Sequence, residues 1–411
     1  MIFEEVIALD KRDPLYPKRF EFELPENTIY LDGNSLGALP KSVKNRMAEV
    51  VSQQWGNDLI KSWNQHDWID LPTSVGEKIA RLIGADAGQV ICCDSISINL
   101  FKLLCSALKL NSKRTKVLST QDNFPTDLYM VQGLRDLLGA DLCHLEMVEE
   151  QNIEQSLTES VAVLLLTQVN FRTGKLLDME RLTKLAHEKG ILVIWDLAHS
   201  AGALPVELDK CNADFAVGCG YKYLNGGPGS PAFLYVAKRH LEVVKQPLSG
   251  WMGHAKPFDF DPTYQSASSI NQFQCGTPSV LAMSALDAAL DVWQGVDMQE
   301  VRRKSMALAR LCLKLIEQKE HLNGLQLCSP ELDKHRGSQL AFRHEYGFAI
   351  CQALIENGVI ADFRAPNILR FGFTPLYTSY EDVWKAIEIL SDIIESKAYM
   401  EPRFSVSLKV T

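Results

Sequence analysis

The 411-residue sequence has no apolar run approaching the length of a membrane-spanning helix, which needs about 20 such residues. Its first residues, Met-Ile-Phe-Glu-Glu, lack the basic and apolar segments of a secretory signal. Positive charge is also scarce, because 42 Lys and Arg residues face 51 Asp and Glu residues, for a formal net charge of −9. An acidic chain disfavours binding to nucleic acid or to an anionic membrane. We therefore expect a cytoplasmic protein with neither as a partner.

Patterned cysteines are missing as well. The ten cysteines are scattered, with no CxxC spacing and no Cys and His set at zinc-ligand spacing. Cys105, Cys312 and Cys351 lie in apolar stretches, where a free cysteine acts as a small core residue. The sequence therefore predicts no metal site, and unpaired thiols are typical of the cytoplasm.

The central part of the chain alternates strand-like and helix-like segments. Residues 161–167 form a continuous apolar run, as expected for a strand buried on both faces. An amphipathic helix is predicted at 179–189, ended by Gly190, and the next strand at 191–195. A strand–helix–strand unit favours a parallel sheet. Further strands are predicted at 115–119, 141–147, 214–217 and 231–236.

The pattern changes near Trp293-Gln-Gly295. A helix is predicted at 298–318, and shorter strands and helices follow to the end of the chain, at 339–342, 347–357, 368–373 and 380–397. We therefore predict an α/β protein with a large domain (61–295) built on a mostly parallel central sheet flanked by helices. A smaller C-terminal α/β domain (296–411) and an N-terminal segment (1–60) complete the predicted organisation.

Lys222 is the most informative residue of the sequence. A short apolar strand leads to it, and the glycine-rich stretch after it lets the backbone pass close to a bound group. Partial desolvation favours the neutral, nucleophilic amine that Schiff-base chemistry needs. Upstream, an apolar strand ends at Asp196, with His199 three residues later. Taken singly, the lysine is typical of a solvated turn and the aspartate of a helix N-cap.

Together, such a lysine and aspartate are the pair that pyridoxal phosphate (PLP) enzymes use. The lysine binds the cofactor as an aldimine, and the carboxylate keeps the pyridine nitrogen protonated. The segment 94–99 precedes a predicted helix, so Ile96 and Ser97 form a candidate phosphate site, or else a plain capped helix. Phe124, in a polar turn, is a candidate to stack on the pyridine ring or an anchor of its loop. Further candidate partners of the anion are Tyr221, Trp251 and Thr277.

Residues 196–205 resemble the cofactor-binding strand end of the aminotransferase class V group within the fold-type I PLP enzymes. Within that group, four stretches are similar to the kynureninase family: Leu31-Asp-Gly-Asn-Ser-Leu-Gly37, Asn123-Phe-Pro-Thr-Asp127, Gly220-Tyr-Lys-Tyr-Leu-Asn-Gly-Gly-Pro-Gly229 and Leu369-Arg-Phe-Gly-Phe-Thr-Pro-Leu-Tyr377. Two departures, Ile96-Ser97 in place of Leu-Thr and Thr126 in place of Ser, keep the apolar and hydroxyl character of those positions.

This resemblance implies hydrolysis of L-kynurenine to anthranilate and L-alanine, a step of tryptophan catabolism and NAD biosynthesis, with PLP bound to Lys222. Lys222 would also move the α-proton, Asp196 would face the pyridine nitrogen, and Tyr221 would move protons later. The implied cofactor contacts are Ile96, Ser97, Phe124, Pro125, Thr126, Asp127, Asp196, His199, Tyr221, Lys222, Trp251 and Thr277. The implied substrate contacts are Asn34, Ser35, Trp63 and Arg370, and the guanidinium of Arg370 would hold the α-carboxylate in a bidentate pair.

The resemblance also implies a homodimer with shared active sites, to which Trp251 and Thr277 would come from the partner subunit. The choice between kynurenine and 3-hydroxykynurenine stays open, although Trp63 would restrict the aryl pocket. The alternatives are other class V enzymes, either an aminotransferase or a cysteine desulfurase or selenocysteine lyase. A desulfurase needs a nucleophilic cysteine in a late Arg-x-Gly-x-x-Cys-like setting, which neither Cys328 nor Cys351 has. A PLP carrier without turnover would need no carboxylate clamp.

Overall fold

A computed structural model describes residues 2–406 of the chain. The strands in this range are β1 (Phe22–Glu23), β2 (Ile29–Tyr30), β3 (Leu39–Pro40), β4 (Val90–Cys92), β5 (Lys116–Thr120), β6 (His144–Val148), β7 (Val161–Thr167), β8 (Leu192–Asp196), β9 (Phe215–Cys219), β10 (Ala232–Val236), β11 (Gln326–Leu327), β12 (Gln339–Arg343), β13 (Val359–Ile360), β14 (Asp362–Arg364) and β15 (Ile368–Gly372).

The α-helices are α1 (Phe3–Asp10), α2 (Lys41–Glu49), α3 (Ser62–Gln65), α4 (Leu71–Leu82), α5 (Ile96–Leu110), α6 (Pro125–Leu138), α7 (Ile153–Ser156), α8 (Met179–Glu188), α9 (Val280–Ala289), α10 (Met298–Glu317), α11 (Gly347–Glu356) and α12 (Tyr380–Glu395). A π-helical stretch, Val50–Asp58, follows α2. Among these helices, none has the length and apolar character to cross a membrane.

A seven-stranded sheet in the order β4-β10-β9-β8-β7-β5-β6 forms the centre of the large unit. Strands β9, β8, β7, β5 and β6 are parallel, and β10 is antiparallel to both of its neighbours. Every residue of β7 is buried. Val163 and Leu165 pack in one hydrophobic cluster with α5 and α6, whereas Leu164 and Leu166 pack in another with α4, α8 and α9. Helices therefore cover both faces of the sheet, as its uninterrupted apolar strands require.

A four-stranded antiparallel sheet in the order β11-β12-β15-β14 forms the centre of the C-terminal part. It shares a hydrophobic cluster with α10, α11 and α12. The N-terminal segment joins this cluster, because Val6 of α1 and Ile29 of β2 pack within it and β2 pairs in parallel with β13. The mostly parallel central sheet and the smaller C-terminal α/β unit confirm the predicted fold class.

Candidate active site

A cavity of about 460 Å³ lies at the carboxyl ends of β7, β8 and β9, where Thr167, Asp196 and Cys219 border it. The first turns of α5 and α6 form further walls, as does the loop after β9. Ligands of open α/β sheets bind in this position, outside the carboxyl ends of the parallel strands. The cavity therefore collects residues from five separate parts of the sequence.

Lys222 lies half-buried in the loop after β9 and borders the cavity. Its Nζ is 3.0 Å from Nε2 of His199 and 5.8 Å from the centre of the Tyr221 ring. Gly37 of the N-terminal segment packs against the same loop, and its N–H donates to the Tyr221 carbonyl at 2.8 Å. A Cβ at Gly37 would come within 2.3 Å of the Lys222 carbonyl oxygen. Only glycine therefore allows this close approach.

His199 and Tyr221, which lie beside Lys222, carry no charge at neutral pH. Burial, followed by the positive charge of Lys222, lowers the pKa of His199 well below its usual range. Its Nδ1 has no hydrogen-bond partner among the described residues. Burial raises the pKa of Tyr221, so its hydroxyl keeps its proton. Lys222 is thus flanked by an uncharged imidazole and an uncharged phenol at this end of the cavity.

Two carboxylates, Asp196 at the end of β8 and Asp127 in the first turn of α6, lie buried beside each other. The Thr167 hydroxyl is 3.4 Å from an oxygen of each, and the Ala198 N–H donates to Asp196 at 2.7 Å. Burial raises the pKa of both, and the charge of Asp196 raises that of Asp127 further. Two adjacent buried anions are costly, so this pair is suited to a cation or a charged N–H group.

A candidate site for an anion lies at the start of α5. Ile96 and Ser97 are its first two residues, whose N–H groups have no acceptor within the helix. Ser95 is the N-cap and accepts from the Ile98 N–H at 3.4 Å. Ser230, which also borders the cavity, has a buried hydroxyl oxygen without a hydrogen-bond partner in the described residues. Free N–H groups and an unpartnered hydroxyl are suited to a phosphate.

The turn before α6 contributes an aromatic wall. Phe124 borders the cavity with 40% of its surface exposed, and its ring meets that of Phe171 edge to face at 5.3 Å. Thr126 also borders the cavity. Pro125 begins α6 but does not border the cavity, so it shapes the turn that presents Phe124.

Arg370 lies on β15 and does not border the cavity itself, but it bonds to Phe171, which does. The guanidinium is buried and bonds to Asp362 and to the carbonyl oxygen of Phe171. Ser35 donates to Asp362 at 2.9 Å and lies 3.3 Å from Arg370 Nη2. Asn34 is fully buried, and its amide donates to Gln339 at 3.3 Å. Burial lowers the pKa of Arg370 to about 10, so it stays charged at neutral pH.

The other predicted site residues lie away from this cavity. Trp63 is half-buried and packs edge to face on Trp68 at 5.9 Å. Trp251 is 40% exposed and meets Phe258 edge to face at 5.8 Å. Thr277 is exposed in the loop before α9. The cavity therefore brings together Ile96, Ser97, Phe124, Thr126, Asp127, Asp196, His199, Tyr221 and Lys222 but not the remaining predicted residues.

Sequence reasoning missed several residues of the site. Thr167 ends the buried strand β7, and Phe171 lies in the turn after it. Their position at the carboxyl end of a predicted strand could have identified them. Ser230 closes the same glycine-rich loop that pointed to Lys222. Asp362 had no such signal, because its pairing with Arg370 follows from the register of β14 and β15.

The residues present fit pyridoxal phosphate. They provide a lysine, a buried carboxylate pair for the pyridine nitrogen, an aromatic wall, and a helix start with an unpartnered serine for the phosphate. The described residues include no group of three or more His, Cys, Asp or Glu side chains placed to hold a metal ion. A desulfurase would need a nucleophilic cysteine at the site. Cys328 borders a separate surface groove, and burial raises the pKa of Cys219 in the cavity, which disfavours its thiolate.

Two family models match the chain. One, described as Kynureninase C-terminal domain, matches residues 301–390, and the other, described as Cys/Met metabolism PLP-dependent enzyme, matches residues 72–245. Relatives named kynureninase from Pseudomonas fluorescens and Burkholderia pseudomallei are 46% and 47% identical to it. Each of these comparisons covers 99% of this chain and 99% of the relative.

Solved structures with a similar fold include a cysteine desulfurase from Thermococcus onnurineus, with a TM-score of 0.75 and 20% identity over 96% of this chain and 99% of that one. The cystine C-S lyase C-DES has a TM-score of 0.77 and 18% identity, covering 89% of this chain and 98% of that chain. At such low identities these likenesses show the fold alone.

Proposed function

Because this chain belongs to the kynureninase family, we propose that the cavity around Lys222 binds pyridoxal phosphate and is where the chain hydrolyses L-kynurenine to anthranilate and L-alanine. The observation that carries this proposal is the lining of one cavity. Lys222, the Asp127 and Asp196 pair and the start of α5 are distant in sequence, yet all border it. When bound, pyridoxal phosphate supplies an aldehyde that joins an amine and a ring that stabilises negative charge at the α-carbon.

Asp196 and Asp127 hold the positive charge of the pyridine nitrogen. Burial raises the pKa of both carboxyl groups, and the positive charge of Lys222 offsets this only in part. A positively charged N–H group beside them relieves this cost, and the pair in turn keeps that nitrogen protonated. Asp196 is fixed by the Ala198 N–H and Thr167, so it is the better oriented of the two.

Lys222 moves the proton of the α-carbon. Its amine borders the cavity and would accept and return that proton beside the bound substrate. His199, neutral and 3.0 Å away, holds the lysine nitrogen without competing for charge. Tyr221, which keeps its proton, supplies and takes back protons in the later steps, when water adds to the γ-carbonyl and the β,γ C–C bond breaks.

Arg370, with Asn34 and Ser35, binds the α-carboxylate of the substrate. The guanidinium already pairs with Asp362, while its Nε is buried without a partner. The substrate carboxylate therefore takes the place of Asp362 or uses this remaining N–H group. Trp63 lies outside the cavity lining, so kynurenine and 3-hydroxykynurenine both stay candidate substrates, to be ranked by their kcat/KM values.

The active site is shared between the subunits of a cytoplasmic homodimer. This part of the proposal is supported by Trp251 and Thr277, which are exposed and do not border the cavity of their own chain. We also retain the proposed division into a large domain (61–295), a small domain (296–411) and an N-terminal segment (1–60). Residue 1 of the N-terminal segment and residues 407–411 of the small domain lie outside the described range.

The test is a product assay with purified, cofactor-loaded protein and L-kynurenine. Anthranilate, followed by fluorescence, and alanine are expected in equal amounts. Lys222→Ala should abolish both products, whereas Lys113→Ala, at an exposed loop lysine, should leave them unchanged. Formation of a keto acid in place of alanine would instead indicate an aminotransferase.

A further inference from the structure

A second lysine, Lys102, is buried behind the wall that the start of α5 forms. Its side chain is fully buried, two turns into the helix. Nζ lies 2.5 Å from Asp94 Oδ2 and 2.5 Å from the carbonyl oxygen of Phe273. Burial alone lowers the pKa of Lys102, but Cys93 and Asp94 outweigh it and the pKa is raised. Because burial raises the pKa of Cys93 to about 12, the anion that pairs with Lys102 is Asp94.

Asp94 itself borders the cavity, immediately before the N-cap Ser95. Its φ of 49° lies in the left-handed region, which costs a non-glycine residue free energy and persists only when surrounding contacts hold it. The contacts are the ion pair with Lys102 and the hydrogen bond from the Ala232 N–H to the Asp94 carbonyl at 2.9 Å. Lys102 thus helps to fix the conformation of the residue that leads into α5.

An acidic side chain at this point is unexpected for an anion site. Ile96, Ser97 and the unpartnered Ser230 hydroxyl favour a phosphate, whereas a bare Asp94 carboxylate beside them would repel it. Lys102 has no role in the proposed reaction.

We propose that Lys102 is a positioning residue for the cofactor phosphate, which neutralises Asp94 and holds it in the conformation that presents the first N–H groups of α5. The proposal rests on the proposed function, because it concerns the phosphate of the cofactor assigned to this cavity. Lys102 acts through Asp94 and touches neither the substrate nor the reacting atoms.

The test compares the affinities of two ligands that differ only in the phosphate. Dissociation constants of PLP and of pyridoxal are measured by absorbance with full-length protein from which the cofactor has been removed. Lys102→Met should reduce the preference for PLP over pyridoxal by about tenfold. The matched control is Lys304→Met, because Lys304 is also buried and paired with a carboxylate, Asp13 at 2.6 Å, but Asp13, unlike Asp94, does not border the cavity. It should leave the preference unchanged, even though both variants lose stability.

A charge rescue separates electrostatics from packing. The double variant Lys102→Met/Asp94→Asn removes the carboxylate, and asparagine tolerates a positive φ, so most of the preference for PLP should return. If Lys102→Met does not fold, Lys102→Gln carries the same test, because its amide can still donate a hydrogen bond but has no charge.

The outcomes distinguish this proposal from the proposed function. A wild-type protein that binds PLP no better than pyridoxal would contradict both. A strong wild-type preference that persists in Lys102→Met, or that is lost equally in Lys304→Met, would overturn the role of Lys102 and leave the proposed function intact. Failure of Asp94→Asn to restore the preference would exclude neutralisation of Asp94 as the cause.

Discussion

At the scale of single residues, the site is defined by two like charges that are buried side by side. Asp127 and Asp196 are buried together, and the pKa of each is raised because burial penalises the charged form. Lys102 and Asp94 show the reverse arrangement, in which a buried charge has its counter-ion within 2.5 Å. A buried pair of like charges destabilises the folded chain, so its presence points to a bound group of opposite charge.

The buried carboxyl pair predicts how the stability of the cofactor-free protein changes with pH. The pKa of Asp127 is higher in the folded chain than its ordinary value of 3.8. Its contribution to stability is therefore complete below that value and is lost as the pH rises through the folded pKa. Asp127→Asn should raise the free energy of unfolding at pH 8 by about 1 kcal/mol or more, and the gain should vanish near pH 4.

Denaturant unfolding of the cofactor-free protein at the two pH values measures this difference. Asp136→Asn, at a side chain that is 71% exposed, is the control and should change stability at neither pH. An Asp127→Asn protein that is less stable than the wild type at pH 8 would contradict the argument from burial.

At the scale of elements, the sequence predicts those strands whose burial is visible as a local pattern of apolar residues. The strand predicted at 161–167 coincides with β7, and the one at 191–195 is displaced by one residue from β8. Both are buried on two faces and therefore read as uninterrupted apolar runs. The strand predicted at 141–147 begins three residues later, at His144, because its burial is incomplete and its pattern weak.

What could not be predicted depends on partners distant in the chain. β2 has two residues, and it becomes a strand only because β13 lies beside it. β4 has only three residues, and it pairs with β10, which lies much later in the chain. At the site, the strand-end residue Asp196 and the loop residue Lys222 followed from sequence. The partners of Arg370 did not, because they come from the register of β14 with β15 and from the turn after β7.

At the scale of the whole molecule, the exposed aromatic residues near Trp251 agree with a shared active site. Phe258 and Phe260 are 61% and 76% exposed and lie in the same segment as Trp251. Clustered exposed aromatic side chains are typical of surfaces that contact another protein. In a homodimer with two-fold symmetry, each subunit can lend this segment to the cavity of the other.

Subunit exchange tests the sharing of the site. Trp251→Ala/Thr277→Ala and Lys222→Ala should each be impaired alone, because each lacks one part of every site. Mixed after subunit exchange, they should recover about a quarter of wild-type activity, because half of the dimers are mixed and each of these has one intact site.

The control mixture combines Lys222→Ala with Asp196→Asn. Both changes lie in the cavity of a single chain, so no mixed dimer has an intact site and no activity should return. A Trp251→Ala/Thr277→Ala mixture that is no more active than its separate components would show that the site is not shared.

The central claim, that Lys222 in this cavity holds the cofactor, is tested most directly by chemical fixation. Borohydride reduction of the cofactor-loaded protein attaches the cofactor permanently to the amine that binds it, and mass spectrometry of the peptides locates it. We predict the cofactor on Lys222, and its absence from that peptide in Lys222→Ala. Attachment to any other lysine of the wild-type protein would contradict the assignment of this cavity as the active site.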